Sequence, residues 1–151
     1  MRYFHIDLPA APYEKDLKLV AVTPQSSMRE RSHVERFARY FLREMHTEGI
    51  PFEAAESEHS SWHVPYKAFL FAREGHYVGA ACFRQREDLD AEKPWLFDWV
   101  WIHPFCRRKG VLTAVWGALN AKVGPFKLAH PISVHMKAFL TKVGDGEAPY
   151  R

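Results

Sequence analysis

A chain of 151 residues, 47% hydrophobic and 26% charged, has the make-up of one ordinary globular domain over residues 1–151, with apolar surface enough to fold without staples. No apolar run approaches the roughly 18 residues that cross a bilayer, the start MRYFHIDLPAAP has no signal-peptide core, and Cys82 and Cys106 are too few for a disulfide framework, which excludes a membrane-spanning or disulfide-stapled protein and places the chain in the cytoplasm with both thiols reduced. The net charge of +3, partly concentrated at Arg107 to Lys109, fits a small anionic ligand better than a broad nucleic-acid surface.

Met1 to Leu8 alternates loosely, as a short edge strand does, and Pro9 and Pro12 turn the chain into a connector. Leu17 to Val22 (LKLVAV) predicts the first firm strand, closed by Thr23-Pro24. Ser26 and Ser27 offer N-caps to the longest helical pattern, in which Val34, Phe37, Ala38, Phe41, Leu42 and Met45 recur at helical spacing. The opposite, solvated face carries Arg29, Arg31, Glu35, Arg36, Arg39, Arg43 and Glu44, and Gly49 with Pro51 ends the element. Phe52 to Pro65 is polar and reads as a loop lying over a cleft. His59 and His63 in it are spaced like two ligands on a helix, but a loop with no third ligand gives no metal site. Tyr66 to Ala72 and His76 to Arg84, joined by Arg73-Glu74-Gly75, predict a β-hairpin, and Gln85 to Lys93 a charged turn.

The chain is organised around Trp95 to Leu119. Trp95 to Ile102 is an apolar, aromatic strand, Pro104 ends its ladder, and from Val111 the pattern is helical until Gly124-Pro125. Phe126 to Ala129 predicts a short strand before His130-Pro131, and Ser133 caps a last helix that runs to about Val143 and stops at Gly144. A strand that feeds a helix through a basic turn points free backbone N–H groups and the positive end of the helix dipole at one spot, which suits a phosphate. Arg107, Arg108 and Lys109 add charge there, and Gly110 lets the main chain approach a ligand without a Cβ. The element order β, α, hairpin, β, turn, α, β, α predicts an α/β fold. Its mixed, partly antiparallel central sheet is flanked by helices on both faces, with a splayed parallel pair at the centre forming the cleft.

Pro104 to Val111 (PFCRRKGV) resembles the acetyl-CoA-binding turn of the GNAT N-acetyltransferase superfamily, a Pro shortly before Arg/Gln-x-x-Gly-x-Gly/Ala. Arg107 and Gly110 match the first and fourth positions, and Leu112 replaces the usual small residue at the sixth. The element order is similar from Leu17 to Gly144. Within the family, the strand, the RRKG turn and Ala129-His130-Pro131 are similar to the cohesion-establishment acetyltransferases, except that His130 stands where that group has an acid. The resemblance implies an acetyl-CoA-dependent N-acetyltransferase. Backbone N–H groups of Arg108, Lys109, Gly110, Val111 and Leu112 would bind the coenzyme A pyrophosphate, and Arg107 and Lys109 would pair with phosphate charge. Trp101, Ile102 and His103 would offer backbone groups to the pantetheine and polarise the thioester carbonyl. The nucleophile would be the amine of a small-molecule or protein acceptor, which needs only a base and an acid from the enzyme. The tyrosine that many members carry in the last helix is Leu140 here. The family's final hairpin has no counterpart after Gly144, so either Arg2 to Leu8 or a partner would complete the sheet, the latter as a homodimer through an open sheet edge, or the fold is trimmed there.

Candidates for base and acid are Asp98 and His103 on the central strand, and His130 and His135 around the last helix. In a regular strand Asp98 and Val100 share one face and Trp99 and Trp101 the other. His103 and His130 stand at the carboxyl ends of neighbouring strands, where open α/β sheets hold ligands, and an imidazole near its reference pKa of about 6.5 takes a proton from an ammonium at neutral pH. Cys106 is not required as a nucleophile, although basic neighbours would lower its pKa. Two other functions fit the residues: a GNAT-like module that has lost catalysis and serves binding or assembly, and a small basic nucleic-acid binder using Arg29 to Arg43.

Overall fold

The computed structural model describes residues 8–12, 16–46, 51–85, 95–129 and 134–143. The expected edge strand at Met1 to Leu8 (all but Leu8), most of the charged turn after Gln85, His130, Ser133 and everything from Gly144 lie outside them. LKLVAV forms β1 (Lys18–Val22), and Ser27 caps α1 (Met28–Met45) by accepting the Glu30 amide, with its hydroxyl 3.3 Å from the Glu30 carboxylate. The helix stops at Met45, ahead of the glycine expected to end it. His46 takes the left-handed conformation (φ 53°) and its amide bonds to the Leu42 carbonyl.

β2 (Tyr66–Arg73) and β3 (His76–Gln85) are joined by Glu74 and Gly75, both at positive φ (51° and 81°), the two-residue turn whose twist matches a hairpin. The Pro9 to Ala11 connector straps this tip: the Pro9 carbonyl accepts from Tyr77 and the Ala11 amide donates to the Gly75 carbonyl. There follow β4 (Trp95–Ile102), a 3-10 turn (Pro104–Cys106), α2 (Val111–Val123), β5 (Phe126–Leu128) and α3 (Val134–Lys142).

The strands lie in the order β1-β2-β3-β4-β5, antiparallel up to β4 and parallel between β4 and β5. The mixed sheet is as expected, but its parallel pair sits at an edge of the described sheet, because α3 rather than a strand follows β5. Helices cover both faces. α1 buries Val34, Phe37 and Ala38 against Leu70, Trp99 and Trp101. On the other face α2 and α3 pack Val115, Trp116, Leu119 and Leu140 against Phe69, Phe83 and Phe97. β2 and β3 are therefore buried on both sides, which explains their nearly unbroken apolar runs.

Strand regularity fails at two places: between β2 and β3, where Phe71 faces Gly79 and Ala72 faces Tyr77 so that β3 inserts Val78, and between β3 and β4. Cys82 faces Trp99 while Phe83 faces Phe97, so β4 inserts Asp98 as a β-bulge. The bulge sends Phe97 into the α2–α3 core and Trp99 and Trp101 into the α1 core. The alternation that groups Asp98 with Val100 does not carry through it. Close by, a Cβ on Gly79 would collide with the Trp101 carbonyl oxygen and stand 3.1 Å from Ile102 Cα. Gly79→Ala is expected to cost about 1–3 kcal/mol of stability by overpacking, read as a lower urea midpoint at constant slope. An unchanged midpoint would mean that β3 and β4 have slack where none is visible.

The polar loop does not lie over the cleft described below, none of whose lining comes from residues 51–65. It is drawn onto the α1 side instead: Arg31 donates to the Ala54 carbonyl (2.7 Å), the Glu35 carboxylate accepts the Ala54 amide (3.0 Å), and Phe52 is buried. Arg31 and Glu35 thus do structural work on a helix face that reads as merely solvated.

Candidate active site

β4 and β5 pair only from Trp95 to Phe97 against Phe126 to Leu128, with the Ala129 amide adding one bond to the Phe97 carbonyl (3.0 Å). From there β4 continues to Ile102 with no strand on its outer edge among the described residues. A cleft of about 280 Å³ opens along it, closed by Leu112 of α2, Met136 and Phe139 of α3, and Phe41, Glu44 and Met45 at the end of α1. The His103 amide donates to the Val78 carbonyl (2.8 Å), so it points inward to β3. Because strand backbone groups alternate, Trp101 points the same way, and Val100 and Ile102 point outward to the cleft. The Ile102 carbonyl is already taken by Arg107 Nε (2.7 Å). Val100 is thus the position whose N–H and C=O both meet the cleft, and nothing in the sequence singles it out, since the parity of the edge is visible only in the paired strands.

Beyond β4, His103 caps the 3-10 turn, its Nδ1 accepting the Phe105 amide (3.2 Å). Arg108 (φ 61°) and Gly110 (φ 75°) then bend the chain into α2, whose N-cap is Gly110 itself. Gly110 has no side chain to offer, and the first turn holds no acid. The amides of Val111, Leu112 and Thr113 thus keep their donors for an external anion, with the helix dipole behind them. Arg108 and Lys109 are exposed beside this helix start. Arg107 is half-buried: its guanidinium is held by Ile102 and by Glu44 Oε1 (2.7 Å) and lies over Trp101, 5.4 Å from the ring centroid.

Of the groups expected to move protons, Asp98 lines the cleft. His103 does not; it is 5% exposed, its ring sits between those of Trp101 and Phe105, and Nδ1 serves the turn. His130 lies outside the described residues, and His135 belongs to α3. Glu44, read from the sequence as a solvated residue, is the second carboxylate on the cleft wall. The thiol of Cys106 is shifted upward rather than downward: Lys109 and Arg73 pull it down, but partial burial outweighs them. Cys82, fully buried, is pushed up to about 12. Leu140 is core, and His63 Nδ1 stands 3.0 Å from the Glu56 carboxylate.

The acetyltransferase (GNAT) family matches residues 29–123, from α1 through the basic turn to the end of α2. The chain belongs to the GNAT acetyltransferase family, and it is an acyltransferase; the resemblance carried by PFCRRKGV holds. No curated protein sequence matches it. Among solved structures, the xEco2 acetyltransferase domain bound to a K105-CoA conjugate aligns with a TM-score of 0.65 at 13% identity, covering 95% of both chains. A ribosomal-protein-alanine N-acetyltransferase from Brucella melitensis biovar Abortus 2308 gives 0.59 at 13% identity over 85% of this chain and 91% of the other. An aminoglycoside acetyltransferase, meta-AAC0020, from an uncultured soil metagenomic sample gives 0.54 at 15% identity over 89% and 90%. At such identities the likeness is one of fold.

Proposed function

We propose that this protein is an acetyl-CoA-dependent N-acetyltransferase that passes the acetyl group directly to the amine of a small-molecule or protein acceptor. The observation that carries the reading is the continuity of the outer edge of β4, the cleft along it and the uncapped start of α2. Coenzyme A has the same order of parts, an extended amide-bearing arm ending in a pyrophosphate. The residues fit it: the amides from Arg108 to Leu112 and the bare Cα of Gly110 would take the pyrophosphate, with Arg108 and Lys109 adding charge. Val100 would pair with the arm in place of Trp101, Ile102 and His103, because the backbone groups of Trp101 and His103 point inward to β3 and the Ile102 carbonyl is held by Arg107.

Bound acetyl-CoA would supply an acetyl group activated as a thioester: its carbonyl carbon bonds to the acceptor nitrogen as the bond to sulfur breaks, and the sulfur leaves as the coenzyme A thiolate, which takes up the proton the nitrogen then sheds. Outward backbone N–H groups of β4 near the bulge stabilise the charge that grows on the carbonyl oxygen. Asp98 takes the proton that makes an ammonium into a nucleophilic amine. A cytoplasmic setting fits two free cysteines. No described helix is long and apolar enough to cross a membrane. The edge of β5 is where a second copy would extend the sheet.

Isothermal titration is expected to show coenzyme A binding, and no binding at millimolar ligand would refute the reading. Asp98→Asn should lower acetyl transfer to a panel of lysine peptides, polyamines and aminoglycosides by at least about 100-fold. Its affinity for acetyl-CoA should stay close to wild type. An Asp98→Asn enzyme of undiminished turnover would remove Asp98 from proton transfer.

A further inference from the structure

We propose that Glu44 is a positioning residue for the acyl donor: by holding Arg107 it fixes where acetyl-CoA lies along β4, an inference that rests on the acetyltransferase reading above. Arg107 is gripped from three sides. Its Nε donates to the Ile102 carbonyl (2.7 Å), its Nη2 donates to Glu44 Oε1 (2.7 Å), and its plane covers Trp101. One side chain therefore ties the end of α1, the end of β4 and the anion-binding turn together, at the wall of the cleft.

The grip is unusual for what it contributes elsewhere. Glu44 lies in the last turn of α1, where the helix dipole opposes a carboxylate. The two side chains are 36% and 43% exposed, and ion pairs so wetted add little to stability. Their effect is geometric. On the outer edge of β4 the cleft meets the backbone groups of Val100 and Ile102. With the Ile102 carbonyl taken by Arg107, Val100 alone offers an extended amide chain both a donor and an acceptor. If Arg107 is released, Ile102 offers a second place about 7 Å further along the strand, far outside the tolerance of a reacting carbonyl. The freed guanidinium also joins Arg108 and Lys109 beside the start of α2, where it strengthens anion binding. Loss of Glu44 should thus leave affinity intact or improved while the thioester moves out of register.

Carbon-13 NMR of acetyl-CoA labelled at the acetyl carbonyl tests this without knowledge of the acceptor. Wild type is expected to displace the bound carbonyl resonance from its free position. Glu44→Ala should return it toward the free value, with the Kd from isothermal titration tighter or within about threefold of wild type. Arg107→Ala should abolish the displacement as well, and in the resonance the double variant should add nothing to either single change. A wild-type resonance in Glu44→Ala overturns the proposal. So does a further change on removing Glu44 from an Arg107→Ala protein, because Glu44 would then act without Arg107. Wild type that binds acetyl-CoA with an undisplaced carbonyl overturns the positioning alone; wild type that does not bind it overturns the acetyltransferase reading as well.

Discussion

Gly110→Glu is expected to weaken coenzyme A binding by more than about 100-fold in isothermal titration, with the helix content of the protein unchanged. Two effects combine, and a second variant separates them. Gly110 holds φ at 75°, and any residue with a Cβ gives up about 1–2 kcal/mol there. Among the described residues, a Cβ at this position meets no atom within 4 Å beyond its chain neighbours and the backbone of its own helix, so no clash adds to that figure. Gly110→Ala therefore reports the conformational part, a weakening of about tenfold. The glutamate brings in addition a negative charge to amides whose vacancy is what attracts an anion. It repels the ligand and competes for the same donors. Equal affinities for the alanine and glutamate variants would show that the ligand's anion binds somewhere other than the start of α2.

The largest loss of stability is expected from Glu56→Ala. Glu56 is 3% exposed, and Arg84 reaches it with both ends of its fork, Nη1 to Oε2 at 2.6 Å and Nη2 to Oε1 at 3.1 Å. The same guanidinium donates to the Val64 and Pro51 carbonyls and lies over the rings of Phe52 and Tyr66. Removing the carboxylate leaves the arginine charge buried, which costs about 3–5 kcal/mol and should lower the urea midpoint at constant slope. A double change to Glu56→Leu with Arg84→Met should recover much of it, because the desolvation of both ions disappears with them. A loss below about 1 kcal/mol in Glu56→Ala would place this pair with ordinary surface ion pairs.

What could be read from the sequence, and what could not, follows from the range of each interaction. Ser27 with Glu30, Glu74 with Gly75, and Pro104 to Val111 are short-range devices, and each appears where its residues require. The strand, turn and helix start proposed to hold the anion belong with them, since they are contiguous in sequence. The bulge is different. WLFDWVWI is apolar on both faces, so one extra residue leaves the pattern unchanged, and only the pairing with Cys82 and Phe83 reveals that Asp98 is inserted. Glu44 was hidden for a related reason: on an amphipathic helix a glutamate beside arginines reads as solvated, and its partner Arg107 arrives from a distant turn. The loop from Phe52 to Pro65 has the composition of an open connection, and its burial of Glu56 depends on Arg84 from β3. His103 stands at the strand end as expected, but the use of its Nδ1 by the next turn could be seen only in the folded chain.

The three-residue contact between β4 and β5 sets fold robustness against turnover. Each rung that the described strands do not share beyond Phe97 is a stabilising bond forgone along the groove. Any added segment that paired with Val100 and Ile102 would make a hardier sheet with nowhere to put a substrate. Attempts to thermostabilise this enzyme should therefore reinforce the hairpin and the two helical layers and leave the seam from Phe126 to Ala129 as short as it is.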